Sequence, residues 1–195
     1  MSRGDDVTRK AFIGTSAAAA AGAGLLGPAA ADAAAGERDR RRSLRKRRER
    51  QVLEHMDSEH RQEFDDTLET FDHPRYEIIP TGDVYDGPQE VAEYYRSTRT
   101  TFPDQRNEHV VLYHADADDA IIVEFDLLGT MLGALRGIPP TGRSFRVRMT
   151  AYFLFEEDGD GIVVERVYFD LFTFLQQLGL LKLVVDAGLV FPAKP

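Results

Sequence analysis

The spacing of apolar side chains changes along this chain, and the change divides it. Residues 43–71 contain no Gly or Pro, and Leu44, Val52, Leu53, Met56, Phe64, Leu68 and Phe71 fall largely at helical spacings. His73-Pro74 ends that helix, because a residue preceding proline avoids the helical region. Short strands are predicted at 76–80 and 83–85 on either side of Thr81-Gly82. A helix then opens at Asp86-Gly87-Pro88 and runs past Val91, Tyr94 and Tyr95 to Phe102-Pro103-Asp104. Beyond it the period becomes two, and 108–115, 120–128, 144–156 and 162–170 read as strands. Asp116-Ala117-Asp118-Asp119 and Asp158-Gly159-Asp160-Gly161 have the residues of tight turns and join these strands into hairpins. They lack the ligand spacing and distal glutamate of a calcium-binding loop. Residues 171–190 form a strongly apolar helical segment with a break at Gly179. Helices first and an antiparallel sheet afterwards predict an α+β fold.

Composition sharpens this picture. The 195 residues are 43% hydrophobic and 29% charged and include no cysteine, which excludes disulfides, iron–sulfur clusters, thiolate-bound zinc and a thiol nucleophile. Charge separates three segments. Residues 1–36 are neutral, residues 37–50 carry nine basic and three acidic side chains, and residues 51–195 carry a net charge of −15. A body that acidic is not built to bind nucleic acid. The basic segment lacks interleaved aromatics and runs without a breaker into Gln51-Val52-Leu53, so it reads as a solvated helical extension of the first helix. In the first segment, Thr8-Arg9-Lys10-Ala11-Phe12-Ile13-Gly14 precedes an Ala/Gly stretch to Leu26 and a run of Ala-x-Ala sites before Glu37. This resembles a twin-arginine export signal with an Arg-Lys pair, which implies an extracytoplasmic protein; a chain whose Arg-Lys pair is not read stays in the cytoplasm. The apolar run is too short and too rich in small residues to make a stable membrane span. Gly22-Ala23-Gly24-Leu25-Leu26-Gly27 spells a dinucleotide fingerprint, but its flanks are poly-alanine and a basic run, not a strand and a βαβ unit.

Candidate chemistry lies on the last two strands. Alternation puts Val164, Arg166, Tyr168 and Asp170 on one face and Val163, Glu165, Val167 and Phe169 on the other. Asp170 meets the apolar run Leu171-Phe172, where desolvation would raise its pKa and suit it to act as a general base; equally, it can cap the helix that follows. On the preceding strand, Arg146, Arg148, Thr150 and Tyr152 share one face, opposite Phe145, Val147, Met149, Ala151 and Phe153. His55 and His60 are five residues apart, off the helical spacing of a metal pair, and Glu59 and Glu63 read as solvated, so no metal site is expected.

Several blocks together resemble the SnoaL-like polyketide cyclase or ester cyclase family: Phe102-Pro103-Asp104, Gly129-Thr130, Gly137-Ile138-Pro139-Pro140-Thr141-Gly142-Arg143, Glu165-Arg166-Val167-Tyr168-Phe169-Asp170 and Leu175-Gln176-Gln177-Leu178-Gly179. The resemblance spans roughly residues 65–181 and marks 51–195 as one domain. It implies a nuclear-transport-factor-2-like cone, with a curved antiparallel sheet wrapped around N-terminal helices over a central pocket, and a homodimer formed through the sheet. It also implies cofactor-free acid–base chemistry on a small polyketide-like molecule. On that pattern Asp170 is the catalytic carboxylate, with Tyr168, Arg166 and Tyr152 in the binding surface. Met131 stands where many relatives carry the histidine of Gly-Thr-His-x-Gly, and it joins the binding set. The alternatives on the same fold are a non-catalytic carrier of small hydrophobic ligands and a hydrolase or dehydratase.

Overall fold

The computed structural model describes Thr8–Arg9, residues 28–115 and residues 119–186. Most of the export-signal segment and part of the first acidic turn lie outside these residues. The elements in chain order are β1 (Thr8–Arg9), α1 (Pro28–Arg61), α2 (Phe64–Glu69), β2 (Arg75–Ile78), β3 (Asp83–Asp86), α3 (Pro88–Thr101), β4 (Arg106–Ala115), β5 (Ala120–Thr130), β6 (Ser144–Phe155), β7 (Ile162–Phe169), α4 (Leu171–Leu178) and α5 (Leu181–Asp186). Among the described residues no helix is long and apolar enough to cross a membrane.

One sheet runs in the order β1-β4-β5-β6-β7-β2-β3. The β4–β5, β5–β6, β6–β7 and β2–β3 pairings are antiparallel. β2 lies parallel to β7, and β1 lies parallel to β4, so the sheet is mixed where an antiparallel one was expected. The parallel β2–β7 pairing joins segments about ninety residues apart, so no local turn signal could announce it. β6 alternates as expected: Phe145, Val147, Met149, Ala151, Phe153 and Phe155 are buried, while Arg146, Arg148, Thr150 and Tyr152 face outward. The inner face packs on Val52 and Met56 of α1 and on Val91 and Tyr95 of α3. A second apolar cluster lies toward the other end of the sheet, where Phe102, Met131, Phe145 and Val147 meet Leu175 and Leu178 of α4.

The helix expected over 43–71 is two helices. α1 ends at Gln62, whose φ of 63° is left-handed. The Glu63 N–H donates to the Ser58 carbonyl at 2.9 Å and the Gln62 N–H to the Glu59 carbonyl at 3.1 Å, the double closure of a helix end usually built on glycine. Gln62 carries none of the residue-type signals of a helix stop, which is why the break was not expected. The break at Gly179 follows the ordinary pattern. Gly179 has φ 73°, and the N–H groups of Gly179 and Leu180 return to the carbonyls of Gln176 and Leu175.

The basic segment is helical throughout, but it is more than a solvated extension. Arg48 is buried, and its guanidinium donates to the carbonyls of Gly159 and Glu156 and to the Asp119 carboxylate, each at 2.7 Å. Its charge also sits 4.8 Å from the centre of the Phe155 ring. Beside it Arg47 pairs with Asp160 at the surface. Arg48 thus ties α1 to the turns of both large hairpins.

Asp170 is the N-cap of α4. Its carboxylate accepts the Thr173 N–H at 3.0 Å and the Thr173 hydroxyl at 2.5 Å, and the group is exposed. The hydroxyl bond, and after it the backbone N–H, holds its pKa below the ordinary value, where an apolar neighbourhood had been expected to raise it. The apolar neighbours turn toward the core while the carboxylate turns back over the first turn of its own helix.

Two outcomes follow from these contacts. Arg48→Ala should lower unfolding stability in urea by about 2–4 kcal/mol, since two carbonyls and a carboxylate lose a charged donor together; Arg47→Ala should cost less than ~1 kcal/mol, as for exposed pairs. Asp170→Asn should keep the melting temperature of the parent and Asp170→Ala should lower it, because Asn caps as well as Asp and Ala does not. The carboxylate's own contribution is present above its unfolded pKa and is lost as pH falls through the lower folded value, so the gap between Asp170→Ala and the parent should narrow in strong acid.

Candidate functional site

Between the sheet and the helices, four elements bring polar side chains into the core. β7 places Glu165 on its inner face, where it pairs in register with Phe153 of β6 and Tyr76 of β2. α1 contributes His55 and, one turn later, Glu59. The segment after α2 contributes Thr70, and α3 contributes Tyr94, Tyr95 and Arg99.

His55 is fully buried, and the partners of both ring nitrogens are defined. The Thr70 hydroxyl donates to the Thr67 carbonyl at 2.6 Å, so at 2.7 Å it accepts from the imidazole Nδ1–H. The other nitrogen, Nε2, lies 2.9 Å from a Glu165 oxygen. With Nδ1 protonated, that contact holds a single proton, either as imidazolium against carboxylate or as neutral imidazole accepting from a carboxylic acid. Burial pushes the Glu165 pKa up, and the charge and hydrogen bond of His55 pull against it. The imidazole is wedged edge-on between Phe71 and Phe153, with ring centres 5.0 and 5.3 Å away.

Three tyrosines stand around the pair. The Tyr95 hydroxyl is 3.4 Å from His55 Nε2, and Tyr76 stands beside Glu165 in the β2–β7 register. Burial raises the pKa of Tyr76, Tyr94 and Tyr95, so all three are neutral donors at any physiological pH. Their rings form a row toward the surface: Tyr76–Tyr94 and Tyr94–Tyr85 are each 4.7 Å between centres, and Tyr85 and Tyr94 are only half-buried. Glu59 lies at the edge of the group. Arg99 donates from one nitrogen to the Glu59 carbonyl at 3.2 Å and to its carboxylate at 3.0 Å, while its Nε and Nη1 are buried without an acceptor.

None of the residues expected to form the site joins this buried group, although Arg166, Tyr168 and Tyr152 adjoin one another on the outer sheet face. Asp170 caps α4 at the surface. Arg166 donates to Glu77 at 2.6 Å on the outer sheet face. Tyr168 is 40% exposed on that same face, against the half-buried ring of Tyr152. Met131 is fully buried in the second apolar cluster, with the Thr141 hydroxyl against its sulfur. The group that is brought together, His55, Glu165 and their tyrosines, was missed. One signal for it existed: Glu165 is the lone carboxylate on an alternating face whose other members are Val163, Val167 and Phe169. For His55 and Glu59 the sequence offered only a helix with a wet and a dry side.

These side chains lie in the interior between the sheet and the helices. Open clefts of about 680 and 420 Å³ lie outside it, alongside the basic half of α1. The first is lined by Arg40, Arg41, Leu44, Arg47 and Asp158.

Known structures share the architecture. A phenazine biosynthesis-related protein from Pseudomonas aeruginosa superposes with a TM-score of 0.59 at 18% identity, covering 71% of this chain and 89% of that one. A candidate polyketide cyclase from Xanthomonas campestris gives 0.61 at 15% identity, covering 69% and 98%. A protein of ketosteroid isomerase-like fold from Catenulispora acidiphila, crystallised with trimethylamine, gives 0.55 at 18% identity, covering 67% and 92%. At these identities the likeness establishes the fold. Comparison with curated proteins finds no match. The family model of the SnoaL-like polyketide cyclases matches residues 50–178, about two thirds of the sequence and every element from the end of α1 through α4, and the chain belongs to that family.

Proposed function

We propose that this protein catalyses proton transfer on a small carbon acid without a cofactor, a lyase or isomerase step such as aldol-type ring closure of a polyketide-like molecule. The buried His55–Glu165 pair is its acid and base. The observation that supports this is the 2.9 Å contact between His55 Nε2 and a Glu165 oxygen, both buried, while the Nδ1–H of the same ring is committed to Thr70. Glu165 in its ionised form takes the proton from a carbon flanked by carbonyls, and the electron pair moves onto the carbonyl oxygen as an enolate. A neutral tyrosine hydroxyl, Tyr95 or Tyr76, donates to that oxygen. His55, held in one tautomer by Thr70, keeps the second proton within reach and returns one to the product. Substrate reaches the pair past the half-buried rings of Tyr85 and Tyr94. A carrier of hydrophobic ligands would need none of these polar groups in the interior, which makes it the weaker alternative. A hydrolase or dehydratase would use the same pair. Export through the Arg9-Lys10 signal is proposed for the same protein and is independent of this chemistry.

We also propose the homodimer, with the outer sheet face as its interface. There Arg146 bridges Glu108 and Asp126, Arg148 bridges Asp126 and Glu124, and the exposed Tyr168 leans on Tyr152.

Deuterium uptake at the central carbon of ethyl acetoacetate, followed by NMR, tests the catalytic reading. Glu165→Gln should slow uptake by roughly 10²–10⁴ while the protein stays folded. A folded Glu165→Gln protein with full activity, or activity lost in Asp170→Asn instead, overturns the assignment. For the assembly, light scattering at micromolar concentration should give twice the chain mass, and Tyr168→Arg should shift it toward the monomer. A monomer mass for the parent protein rejects the interface.

A further inference from the structure

His55 and Glu59 are one helical turn apart on α1, and Glu165 approaches them from β7. One potential ligand atom from each of the three lies within 4.8 Å of the others. We propose that His55, Glu59 and Glu165 form a binding site for a first-row divalent cation of the zinc type, which enters in place of the proton shared by His55 and Glu165.

Three features of the geometry carry this. First, the Nδ1–H of His55 is committed to Thr70, whose own hydrogen is committed to the Thr67 carbonyl. The imidazole therefore presents Nε2 to the two carboxylates, and an orienting acceptor behind the ring is the arrangement metal-binding histidines use. Second, the donor set is one nitrogen and two carboxylates, which suits zinc and its neighbours better than calcium or magnesium. Third, side-chain exposures of 0, 4 and 15% for His55, Glu165 and Glu59 describe a site closed on two sides and reached past Glu59. Zinc ligands sit about 2.0–2.2 Å from the metal and so roughly 3.4 Å from one another; His55 and Glu165, 2.9 Å apart, open slightly while Glu59 moves in. The Glu59 carboxylate can make this movement while one of its oxygens stays on Arg99. The exchange balances: one cation enters, the proton between His55 and Glu165 leaves to solvent, and no bond is oxidised or reduced. A cation bound there takes the lone pairs that proton transfer needs, so it switches the pair off. That consequence rests on the acid–base reading, whereas the binding does not.

The full chain titrated with Co²⁺ tests the site. One equivalent should bind with visible d–d absorption, and Zn²⁺ should displace it. Glu59→Gln keeps an acceptor for Arg99 and removes a charged ligand, and Thr70→Val removes the acceptor behind the ring; each should weaken binding by roughly 10–100-fold. His73→Gln, which alters the exposed His73–Asp86 pair, should leave it unchanged. No absorption, an affinity indifferent to Glu59→Gln, or loss of binding in His73→Gln overturns the site. Where deuterium uptake is measurable, saturating Zn²⁺ should abolish it, and uptake that persists at saturation refutes the placement. Where no uptake is found, the cobalt titration decides the site by itself.

Discussion

A histidine–carboxylate pair is costly in an apolar core unless its own polar atoms have partners, and the arrangement of this fold follows from that constraint. His55 is fully buried between two phenylalanine rings, and Glu165 is nearly so. The pair survives there because it is neutral as a whole and closed on each side, by Thr70 at one end and by tyrosine hydroxyls at the other. The closing groups come from different places: the end of α2, β2, β7 and α3 must all be in register for the network to be complete. The parallel β2–β7 pairing is therefore central, since it sets Tyr76 beside Glu165.

The same logic applies two turns earlier on α1, around a lone cation. Arg48 is the one member of the basic segment that the core admits, and it is admitted with two carbonyls, a carboxylate and an aromatic face. It holds the helix that carries His55 and Glu59 against the turns of the hairpins, one of which leads into the strand that carries Glu165. This arginine and the histidine two turns after it are both positioned by hairpin and sheet residues far away in sequence. Rotation of α1 about its axis is thus settled twice, and the direction of the His55 side chain with it.

The carboxylate expected to do the chemistry and the carboxylate the core contains are five residues apart on β7 and its extension. Asp170 was read as sitting in apolar surroundings because its neighbours in sequence are apolar. At a strand-to-helix junction, however, those neighbours and the carboxylate point in different directions, and three unsatisfied N–H groups lie within reach. The helix end takes the carboxylate because the exposed cap both solvates it and gives it two donors. Glu165 has no such escape, for it lies mid-strand with its side chain committed to the inner face.

The elements, the hairpins, the inward and outward faces of β6 and β7, and the stop at Gly179 were all written in local pattern. Period-two and helical spacing act over a few residues, and glycine at a positive φ is a property of one residue. The resemblance in the Pro-Thr-Gly-Arg and Tyr-Phe-Asp blocks added the cone. What local pattern could not hold was which distant segments meet. The parallel contact of β2 with β7, the capture of Arg48 and the meeting of His55, Thr70, Tyr95 and Glu165 each depend on packing between segments far apart in the chain. A sequence states which side chains prefer the interior; only the closed fold decides which polar ones are allowed to stay there, because each must find its hydrogen-bond partner on another element.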